Sequence, residues 1–231
     1  MKKSGNISRL FDDIANRYDL LNHVLSLNTD TIWRRRLVDI SGVSEGEVVL
    51  DVCTGTGDIE ICFAKRTCAD KIVGIDFSRA MLEVGAKKIK EKGYTGKITN
   101  FMGDALNLPF GNGSFDVVTI GFGLRNLADY STGISEMVRV LKGGGRLLLL
   151  EFAPPKRKII DIFYRFYLKR ILPIIGGILT GKRSAYEYLS DSIFGFLEPG
   201  EVMRIMEAEG LKKLESFALM GGLAYIYFGE K

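Results

Sequence analysis

One short stretch, Asp51–Asp58, constrains the fold more than any other part of the sequence. It reads Asp-Val-Cys-Thr-Gly-Thr-Gly-Asp, and it joins an apolar, β-rich run to a segment with helical spacing. A strand, a glycine turn and a helix in this order bring the backbone close to a ligand at the helix N-terminus. The dinucleotide fingerprint requires a further glycine at position 60, but Glu60 stands there. The sequence therefore predicts a nucleotide-binding turn of another kind, with an acidic residue at the strand end.

Two further acidic residues follow predicted strands. Asp76 ends the next apolar run, nineteen residues after Gly57, which is about the spacing at which an acid reaches a ribose in doubly wound folds. Asp104 follows the third strand, where it suits the exocyclic amine of adenine, with Ala105 and apolar neighbours beside the ring. Asp51 would repel a pyrophosphate but suits a cationic ammonium group. The predicted ligand is a nucleoside with a positively charged amino-acid tail, S-adenosylmethionine.

Strand-like and helix-like segments alternate through the middle of the chain. Predicted strands cover 47–53, 71–76, 97–102, 115–121 and 145–152, and predicted helices cover 57–67, 79–92 and 131–141. This alternation predicts a mainly parallel sheet with helices on both faces and ligands at the carboxyl ends of the strands. Ser78 is the predicted cap of the second helix, and Gly143–Gly145 are predicted to separate the last helix from its strand. Two more strands around Gly221–Gly222 are predicted to form a hairpin at an edge of the sheet.

The whole chain, 1–231, is predicted to fold as a single domain. The predicted parts are an N-terminal helical cap over 1–45, a cofactor-binding core over 46–152, a helical insertion over 153–210 and a C-terminal hairpin over 211–231. The fold class is α/β: a Rossmann-like, seven-stranded, mostly parallel sheet with a C-terminal antiparallel strand and helices on both faces. Extra helices precede this sheet, and the helical insertion comes before the last two strands.

Charge and cysteine content exclude several classes of function. The net charge is +4, from 32 basic and 28 acidic residues, which is too small to require a nucleic-acid partner. The three cysteines, Cys53, Cys62 and Cys68, lack the spacing of a zinc site or a disulfide framework, so we expect no metal and a reducing, cytoplasmic compartment. No signal peptide is expected, and no stretch reaches the roughly 18 uninterrupted apolar residues of a membrane span.

The segment 156–183 differs in character from the rest of the chain. Six of the fifteen residues from 156 to 170 are basic, and aromatic residues alternate with them. Two interpretations are open: a surface helix whose aromatic side chains face the core, or a helix that lines an apolar slot or lies at a lipid headgroup surface. The run Arg34–Arg36 leaves a similar choice between a solvated helix face and an anchor for phosphate headgroups or an acidic ligand group.

The fourth predicted strand runs into a glycine-bearing loop with polar residues at its end. Gly121 and Gly123 are predicted to allow close approach of the methyl donor. Arg125 and Asn126 place polar groups beside the predicted transfer site. The alternative for Arg125 is a structural ion pair with an acid such as Asp129.

Motifs spread over most of the chain match one protein family. They are Phe11–Asn22, Leu25–Ser26 with Trp33–Arg35, Asp51–Asp58, Gly74–Asp76, Gly103–Ala105 with Leu108–Phe110, Ser114–Asp116, Gly121–Asn126, Glu136–Leu141, Gly144–Leu147, Glu151–Phe152, Tyr188–Ile193 and Gly221–Gly222. With these motifs the chain resembles the menaquinone/ubiquinone C-methyltransferase family of class I S-adenosylmethionine methyltransferases. The glycine turn is shared by the superfamily, whereas the Phe-Gly-Leu-Arg-Asn loop and the Phe-Asp-x-Ile-Ala-x-Arg-Tyr-Asp opening are far more specific.

That resemblance implies methylation of a ring carbon of a polyprenylated hydroquinone, with demethylmenaquinol converted to menaquinol. The cofactor-binding residues expected from the resemblance and the strand-end motifs are Asp51, Thr54, Gly55, Thr56, Gly57, Asp76, Phe77, Asp104, Ala105 and Gly121. Tyr18, Arg125 and Asn126 are implied to face the quinol and to serve catalysis. Arginine stays protonated, so stabilising a phenolate suits Arg125 better than acting as a base. The sequence departs from the family pattern at Asn28 and Asp30, where a glycine and a histidine are usual, and at Tyr227, which replaces a histidine.

Other functions remain open on the sequence alone. A methyltransferase for another small phenolic, sterol-like or lipid substrate would keep 47–152 but would not need 156–183. A non-enzymatic nucleotide-binding module would bind the cofactor without turnover, and a nucleic-acid methyltransferase would carry a stronger basic stripe. We expect weak peripheral contact of 156–183 with the inner face of the cytoplasmic membrane. The oligomeric state, a homodimer included, is left open.

Overall fold

The computed structural model describes residues 11–12, 14–15, 18–26, 28–154, 164–171 and 183–231. Its helices are α1 (Tyr18–Leu25), α2 (Asp30–Ser41), α3 (Asp58–Arg66), α4 (Arg79–Glu91), α5 (Tyr130–Val140), α6 (Arg183–Phe194) and α7 (Pro199–Ala208), with a 3-10 turn at Leu124–Asn126 and a π-helical turn at Tyr167–Ile171. Its strands are β1 (Val48–Val52), β2 (Lys71–Asp76), β3 (Ile98–Met102), β4 (Phe115–Gly121), β5 (Leu141–Phe152), β6 (Lys212–Leu219) and β7 (Ala224–Glu230). None of the helices in these ranges is both long and apolar enough to cross a membrane.

All seven strands belong to one sheet, in the order β3-β2-β1-β4-β5-β7-β6. β1 pairs in parallel with β2 and with β4, and the parallel pairing continues outwards to β3 and β5. β7 is antiparallel to both of its neighbours, β5 and β6. This topology confirms the predicted fold class. From β1 the strand order runs outwards to β3 on one side, and from β4 it runs outwards on the other side, so the order reverses between the neighbours β1 and β4. A ligand crevice is expected over the carboxyl ends of these two strands.

Side chains that alternate along the strands form a hydrophobic core on each face of the sheet. Val49 and Ile72 belong to the face covered by α2, α3 and α4, whereas Leu50 and Val73 belong to the face covered by α5 and α7. Each fully buried aliphatic side chain of this kind contributes roughly 1.5–3 kcal/mol to folding. Two such layers hold the carboxyl ends of the strands rigidly in place.

The glycines before the last parallel strand lie inside the strand pair. β5 begins directly after α5, and its pairing with β4 jumps from Phe115 opposite Leu141 to Val117 opposite Arg146. Gly143–Gly145 therefore form a bulge, with Gly144 at φ +78° and its N–H bonded to the C-terminal carbonyl. The predicted break between helix and strand is wrong because a bulge and a turn use the same glycine-rich sequence.

Candidate active site

A cavity of about 1190 Å³ lies over the carboxyl ends of the four parallel strands β1 to β4. The residues at and after the strand ends form its floor: Cys53 and Gly55 after β1, Asp76 and Phe77 at β2, Gly103–Leu106 after β3, and Phe122, Gly123, Arg125 and Asn126 after β4. Tyr18 and Phe11 close it from the N-terminal side, and Tyr188 and Ser192 of α6 close it from the other. This is the position in which a doubly wound sheet binds its ligands.

Eight of the thirteen predicted site residues line this cavity. They are Tyr18, Gly55, Asp76, Phe77, Asp104, Ala105, Arg125 and Asn126. The five that do not line it are Asp51, Thr54, Thr56, Gly57 and Gly121. Wall residues that were not predicted are Phe11, Cys53, Ile75, Met81, Met102, Gly103, Leu106, Phe122, Leu127, Ala128, Tyr130, Tyr188, Ser192 and Gly195. Most of these are apolar neighbours of predicted residues, whereas Tyr188 and Ser192 come from a distant helix.

The glycine turn after β1 is held in a left-handed backbone conformation. Gly55 has φ +57°, and Gly57, at the N-terminus of α3, has φ +80°. Residues with a Cβ adopt such angles only with strain, so the two glycines permit the turn. The turn is fastened to β2, because the backbone N–H of Gly55 donates to Asp76 Oδ2 at 2.8 Å.

Asp76 is the buried acid at the cavity end of β2. It accepts backbone N–H groups from both sides: Gly55 on Oδ2 and Ser78 on Oδ1, each at 2.8 Å. Burial raises the pKa of Asp76 to about 6, and the backbone donors oppose that rise. Ser78 also caps α4 by accepting from Met81 N at 3.2 Å, which confirms its predicted role. The carboxylate thus faces the cavity in a fixed orientation, with lone pairs left for a ligand's hydroxyl donors.

The acid at the end of β1 lies behind the cavity wall. Asp51 is 1% exposed and accepts from Thr119 Oγ1 at 2.7 Å. Burial raises the pKa of Asp51 to about 7. The nearby Glu60 is also fully buried, and burial raises its pKa to about 8. Glu60 Oε2 accepts from Asn100 Nδ2 at 3.1 Å, whereas its Oε1 has no hydrogen-bond partner in the described part of the chain. These two carboxyls therefore support the turn from below.

The two glycines of the β4 loop make room for protein side chains. A Cβ on Gly121 would lie 2.3 Å from Ile59 Cδ1, and a Cβ on Gly123 would lie 2.6 Å from the Cβ of Cys53. Cys53 and Phe122 themselves have φ +54° and +58°, which is uncommon for residues of this kind and found most often at functional sites. Packing requires both small residues, because Gly121 lies against Ile59 of α3 and Gly123 lies against Cys53 of the β1 loop. Gly123 also lines the cavity, so close approach of the methyl donor stays a prediction.

Arg125 is buried and paired with a buried acid on the neighbouring strand. Its Nη1 donates to Glu151 Oε1 at 2.5 Å and to the carbonyl oxygen of Phe122 at 2.7 Å, and its Nε donates to Ser192 Oγ at 3.4 Å. Asp129 caps α5 instead, where it accepts two backbone N–H groups. The predicted alternative of a structural ion pair for Arg125 is therefore confirmed, but Asp129 is not its partner. The partner of Arg125 is Glu151, which the parallel register of β4 and β5 brings beside the loop.

Asn126 and two tyrosines complete the polar wall. Tyr188 donates its hydroxyl to Asn126 Oδ1 at 2.9 Å, and Asn126 Nδ2 donates to the carbonyl of Phe122 at 3.3 Å. Tyr18 faces the same space and is half-buried. Burial raises the pKa of Tyr18 although Arg125 opposes the rise. Tyr18 is therefore a neutral phenol at neutral pH, able to donate a hydrogen bond.

A charged network fastens α1 to the glycine turn. Lys88 Nζ donates to Asp19 Oδ2 at 2.6 Å, to Asp58 Oδ1 at 2.5 Å and to Thr56 Oγ1 at 3.2 Å. Thr56 in turn donates to Asp19 Oδ1 at 2.5 Å. Thr56, predicted to bind the cofactor, thus bonds through its hydroxyl to the helix that carries Tyr18. This network links the cofactor turn to the substrate end of the cavity.

The three successive arginines of α2 have different environments. Arg34 is 6% exposed, and it pairs with Asp30 on its own helix and with Asp58 Oδ2 at 3.6 Å. Arg35 and Arg36 are exposed. The solvated-face interpretation therefore describes two of the three, and Arg34 extends the network that holds the N-terminal helices on the sheet.

The three positions that depart from the family pattern do not line the cavity. Asn28 adopts φ +64°, which asparagine tolerates better than most residues. Asp30 is fully buried and accepts from Ser26 Oγ at 2.8 Å, with His23 Nδ1 at 2.9 Å. Burial would raise the pKa of Asp30, but its charged and hydrogen-bonded neighbours lower it. Tyr227 is buried in the sheet core.

The chemistry of the wall fits S-adenosylmethionine. Asp76 offers fixed acceptors for ribose hydroxyls, and Ile75, Phe77 and Met81 offer apolar surface for a purine. Asp104 is exposed and accepts from Leu106 N through Oδ1, so its Oδ2 can accept an exocyclic amine. Among the described residues, no group of three His, Cys, Asp or Glu side chains is arranged to hold a metal ion.

Comparison with known families and curated proteins gives one consistent result. The model of the ubiE/COQ5 methyltransferase family matches residues 1–231. The chain is 43% identical to a ubiquinone/menaquinone biosynthesis C-methyltransferase of Geotalea uraniireducens, with coverage of 100% of this chain and 98% of that protein. It is 40% identical to the demethylmenaquinone methyltransferase of Thermus thermophilus, with coverage of 96% and 100%.

Solved structures of low sequence identity share the fold. A putative S-adenosyl-L-methionine-dependent methyltransferase from Methanococcus maripaludis matches with a TM-score of 0.66 at 19% identity, covering 96% of this chain and 94% of its own. A methyltransferase from Thermotoga maritima, described as a possible histamine N-methyltransferase, matches with a TM-score of 0.67 at 17% identity, covering 96% and 99%.

Proposed function

This chain belongs to the ubiE/COQ5 methyltransferase family, and on that premise we propose that it methylates a ring carbon of demethylmenaquinol, a polyprenylated hydroquinone, with S-adenosylmethionine as the donor. The observation that carries the proposal is the single cavity that joins Asp76 and Gly55 at one end to Arg125 and Asn126 at the other. Relatives named demethylmenaquinone methyltransferase, at 40% identity or more over nearly the whole chain, support the choice of substrate.

The reaction requires a carbon nucleophile on the aromatic ring. The ring carbon gains electron density when a neighbouring hydroxyl loses its proton, so the protein must favour the phenolate and hold the carbon in line with the methyl group. The cofactor supplies that methyl group as an activated sulfonium. Alignment of the two reactants in one cavity can contribute several kcal/mol to catalysis.

Arg125 and Asn126 are the groups that can stabilise the phenolate oxygen. Arg125 Nη2 makes no hydrogen bond within the described residues, although Nη1 and Nε are engaged. By analogy with an oxyanion-hole donor, such a group contributes about 3 kcal/mol to the transition state. Glu151 balances the charge of Arg125. Stabilisation of the phenolate therefore depends on a hydrogen bond from Arg125 Nη2 and not on the attraction of an unpaired cation.

The polyprenyl tail requires an apolar path out of the cavity. Leu106 and Leu127 give the cavity apolar surface. Helix α6, which also lines the cavity, follows the basic, aromatic segment 156–183, of which 164–171 and Arg183 lie within the described residues. We propose that this segment makes weak contact with anionic lipid. Co-sedimentation with phosphatidylglycerol vesicles at low salt tests the contact, and absence of binding to those vesicles would contradict it.

The decisive experiment follows a labelled methyl group from S-adenosylmethionine. Purified protein should label demethylmenaquinol much faster than the corresponding demethylated benzoquinol. Label in a soluble phenol and not in either quinol would indicate another small-molecule methyltransferase. Binding of S-adenosylmethionine without label transfer to any acceptor would indicate a non-enzymatic module. Cells without the protein should accumulate a quinone one methyl group short, which mass spectrometry detects.

A further inference from the structure

The amide group of Asn126 has one defined orientation. The carbonyl oxygen of Phe122 can only accept a hydrogen bond, and it faces the amide at 3.3 Å, so the group turned towards it is Nδ2. The amide oxygen Oδ1 then faces Tyr188, whose hydroxyl donates to it at 2.9 Å. Tyr188 thereby holds Oδ1 towards its own hydroxyl and leaves the second Nδ2 hydrogen without an acceptor among the described residues.

The neighbouring arginine also offers donors alone. Arg125 has no acceptor atom, and Glu151 and Ser192 fix its guanidinium from two sides. Ser192 lies one helical turn after Tyr188 on α6, so a single helix holds both polar side chains of the 3-10 turn. Arg125 Nη2 and the second Nδ2 hydrogen of Asn126 are therefore the unengaged donors of this turn among the described residues, and Oδ1 of Asn126 is turned towards Tyr188.

We propose that Tyr188 is a positioning residue that keeps Asn126 a donor, so that the Arg125–Asn126 turn recognises the ionised oxygen of its substrate and discriminates against the neutral hydroxyl. A neutral phenol needs an acceptor for its own proton, whereas a phenolate needs only donors. The inference rests on the proposed function, because it assigns the form in which the quinol is bound. The class of ligand that this wall favours is an ionised hydroxyquinone or hydroquinone.

Binding of a matched pair of small ligands tests the inference without turnover. 2-Hydroxy-1,4-naphthoquinone is ionised at neutral pH, and its methyl ether is not. Calorimetry with S-adenosylhomocysteine present gives the ratio of the two affinities. Tyr188→Phe releases Asn126 Oδ1 to accept a hydrogen bond from a neutral hydroxyl, so the preference for the ionised ligand should fall about tenfold, the discrimination that one hydrogen bond provides. Affinity for S-adenosylmethionine should not change.

Tyr130→Phe is the matched control. Tyr130 also lines the cavity, but its hydroxyl makes no hydrogen bond within the described chain, so the ratio should stay at the wild-type value. In turnover of a short-chain demethylnaphthoquinol, Tyr188→Phe should lower kcat and move the rising limb of its pH profile about one unit upwards.

Three results would overturn the assignment: an unchanged affinity ratio in Tyr188→Phe, an equal fall in Tyr130→Phe, or a parallel loss of S-adenosylmethionine binding, which would indicate a structural role. Failure of the wild-type protein to methylate any quinol would reject the proposed function instead. The ligand-binding ratio would still decide the role of Tyr188.

Discussion

The two ends of the cavity are built in different ways. At the cofactor end, the turn after β1 and the acid at the end of β2 are each joined directly to the helix that follows, and backbone N–H groups such as that of Gly55 hold Asp76. At the substrate end, Arg125, Glu151 and Tyr188 come from a loop, a strand and a distant helix. The cofactor end joins two neighbouring strand–helix units, whereas the substrate end joins β4, β5 and α6, which are farther apart in the chain.

The two ends also accommodate buried carboxyl groups differently. Asp51 and Glu60, beneath the glycine turn, have no cationic hydrogen-bond partner, and burial raises their pKa values to about 7 and about 8. Glu151 is fully buried as well, but Arg125 pairs with it. This difference predicts how each end responds to a change. Removal of one member of the buried ion pair should destabilise the substrate end most, and a change of pH should alter the protonation of the buried acids at the cofactor end.

Removal of the buried cation should have the largest effect. Arg125→Ala leaves Glu151 buried and unpaired, so we expect the free energy of unfolding to fall by about 3 kcal/mol and turnover to fall by about 10²–10³-fold. Chemical denaturation and methyl transfer measure the two effects. The double variant Arg125→Gln/Glu151→Gln should recover most of the stability and remain inactive. Recovery of activity in that variant would reduce the role of Arg125 to a structural one.

A smaller effect is expected at the cofactor end. Asp76→Asn turns an amide group towards backbone N–H donors and removes an acceptor for the ribose, so the Kd for S-adenosylmethionine should rise about 10–100-fold, or about 1.4–2.8 kcal/mol. Isothermal titration measures it. Asp70→Asn, at an exposed position one residue before β2, is the control. An unchanged Kd in Asp76→Asn would place the ribose elsewhere.

The pH dependence of stability separates the two ends. The raised pKa of Glu60 means that the folded protein holds a proton that the unfolded chain loses above about pH 4.5. The contribution of Glu60 to stability is therefore greatest below that pH and declines up to about pH 8, by at most about 1.4 kcal/mol per pH unit. Denaturation of Glu60→Gln between pH 5 and 9 should give a flatter curve. Curves parallel to the wild type would show that Glu60 does not titrate in this range.

The smallest effect concerns the network that joins the ends. Lys88→Ala breaks the half-buried bridges to Asp19 and Asp58, and we expect a loss of about 1 kcal/mol in the free energy of unfolding with a modest rise in the KM for the quinol. Lys87→Ala, at an exposed neighbouring position, should match the wild type. An identical result for both lysines would mean that the network does not connect the ends.

Sequence reasoning succeeded where structure is local. The strands, the helices between them and the cap at Ser78 depend on neighbouring residues, so their patterns can be read directly. It failed where the role of a residue depends on how deeply its side chain is buried or on a partner that is distant in the sequence. Asp51 lies in the expected motif, but its side chain is buried behind the cavity wall and does not line the cavity. Glu151 and Tyr188 lie within motifs of the resemblance, but no spacing in the chain indicates that they meet Arg125 and Asn126.

The pairing of Arg125 with Glu151 bears on how the protein would behave in a crowded cell. A lone guanidinium in a pocket attracts inorganic phosphate and small organic acids, which are abundant metabolites and would compete for the site. A guanidinium already neutralised by its own carboxylate exerts little attraction at a distance. Arg125 would then bind only an oxygen that is brought within hydrogen-bond distance by binding of the aromatic ring in the cavity. Catalysis should therefore resist inhibition by the commonest cellular anions.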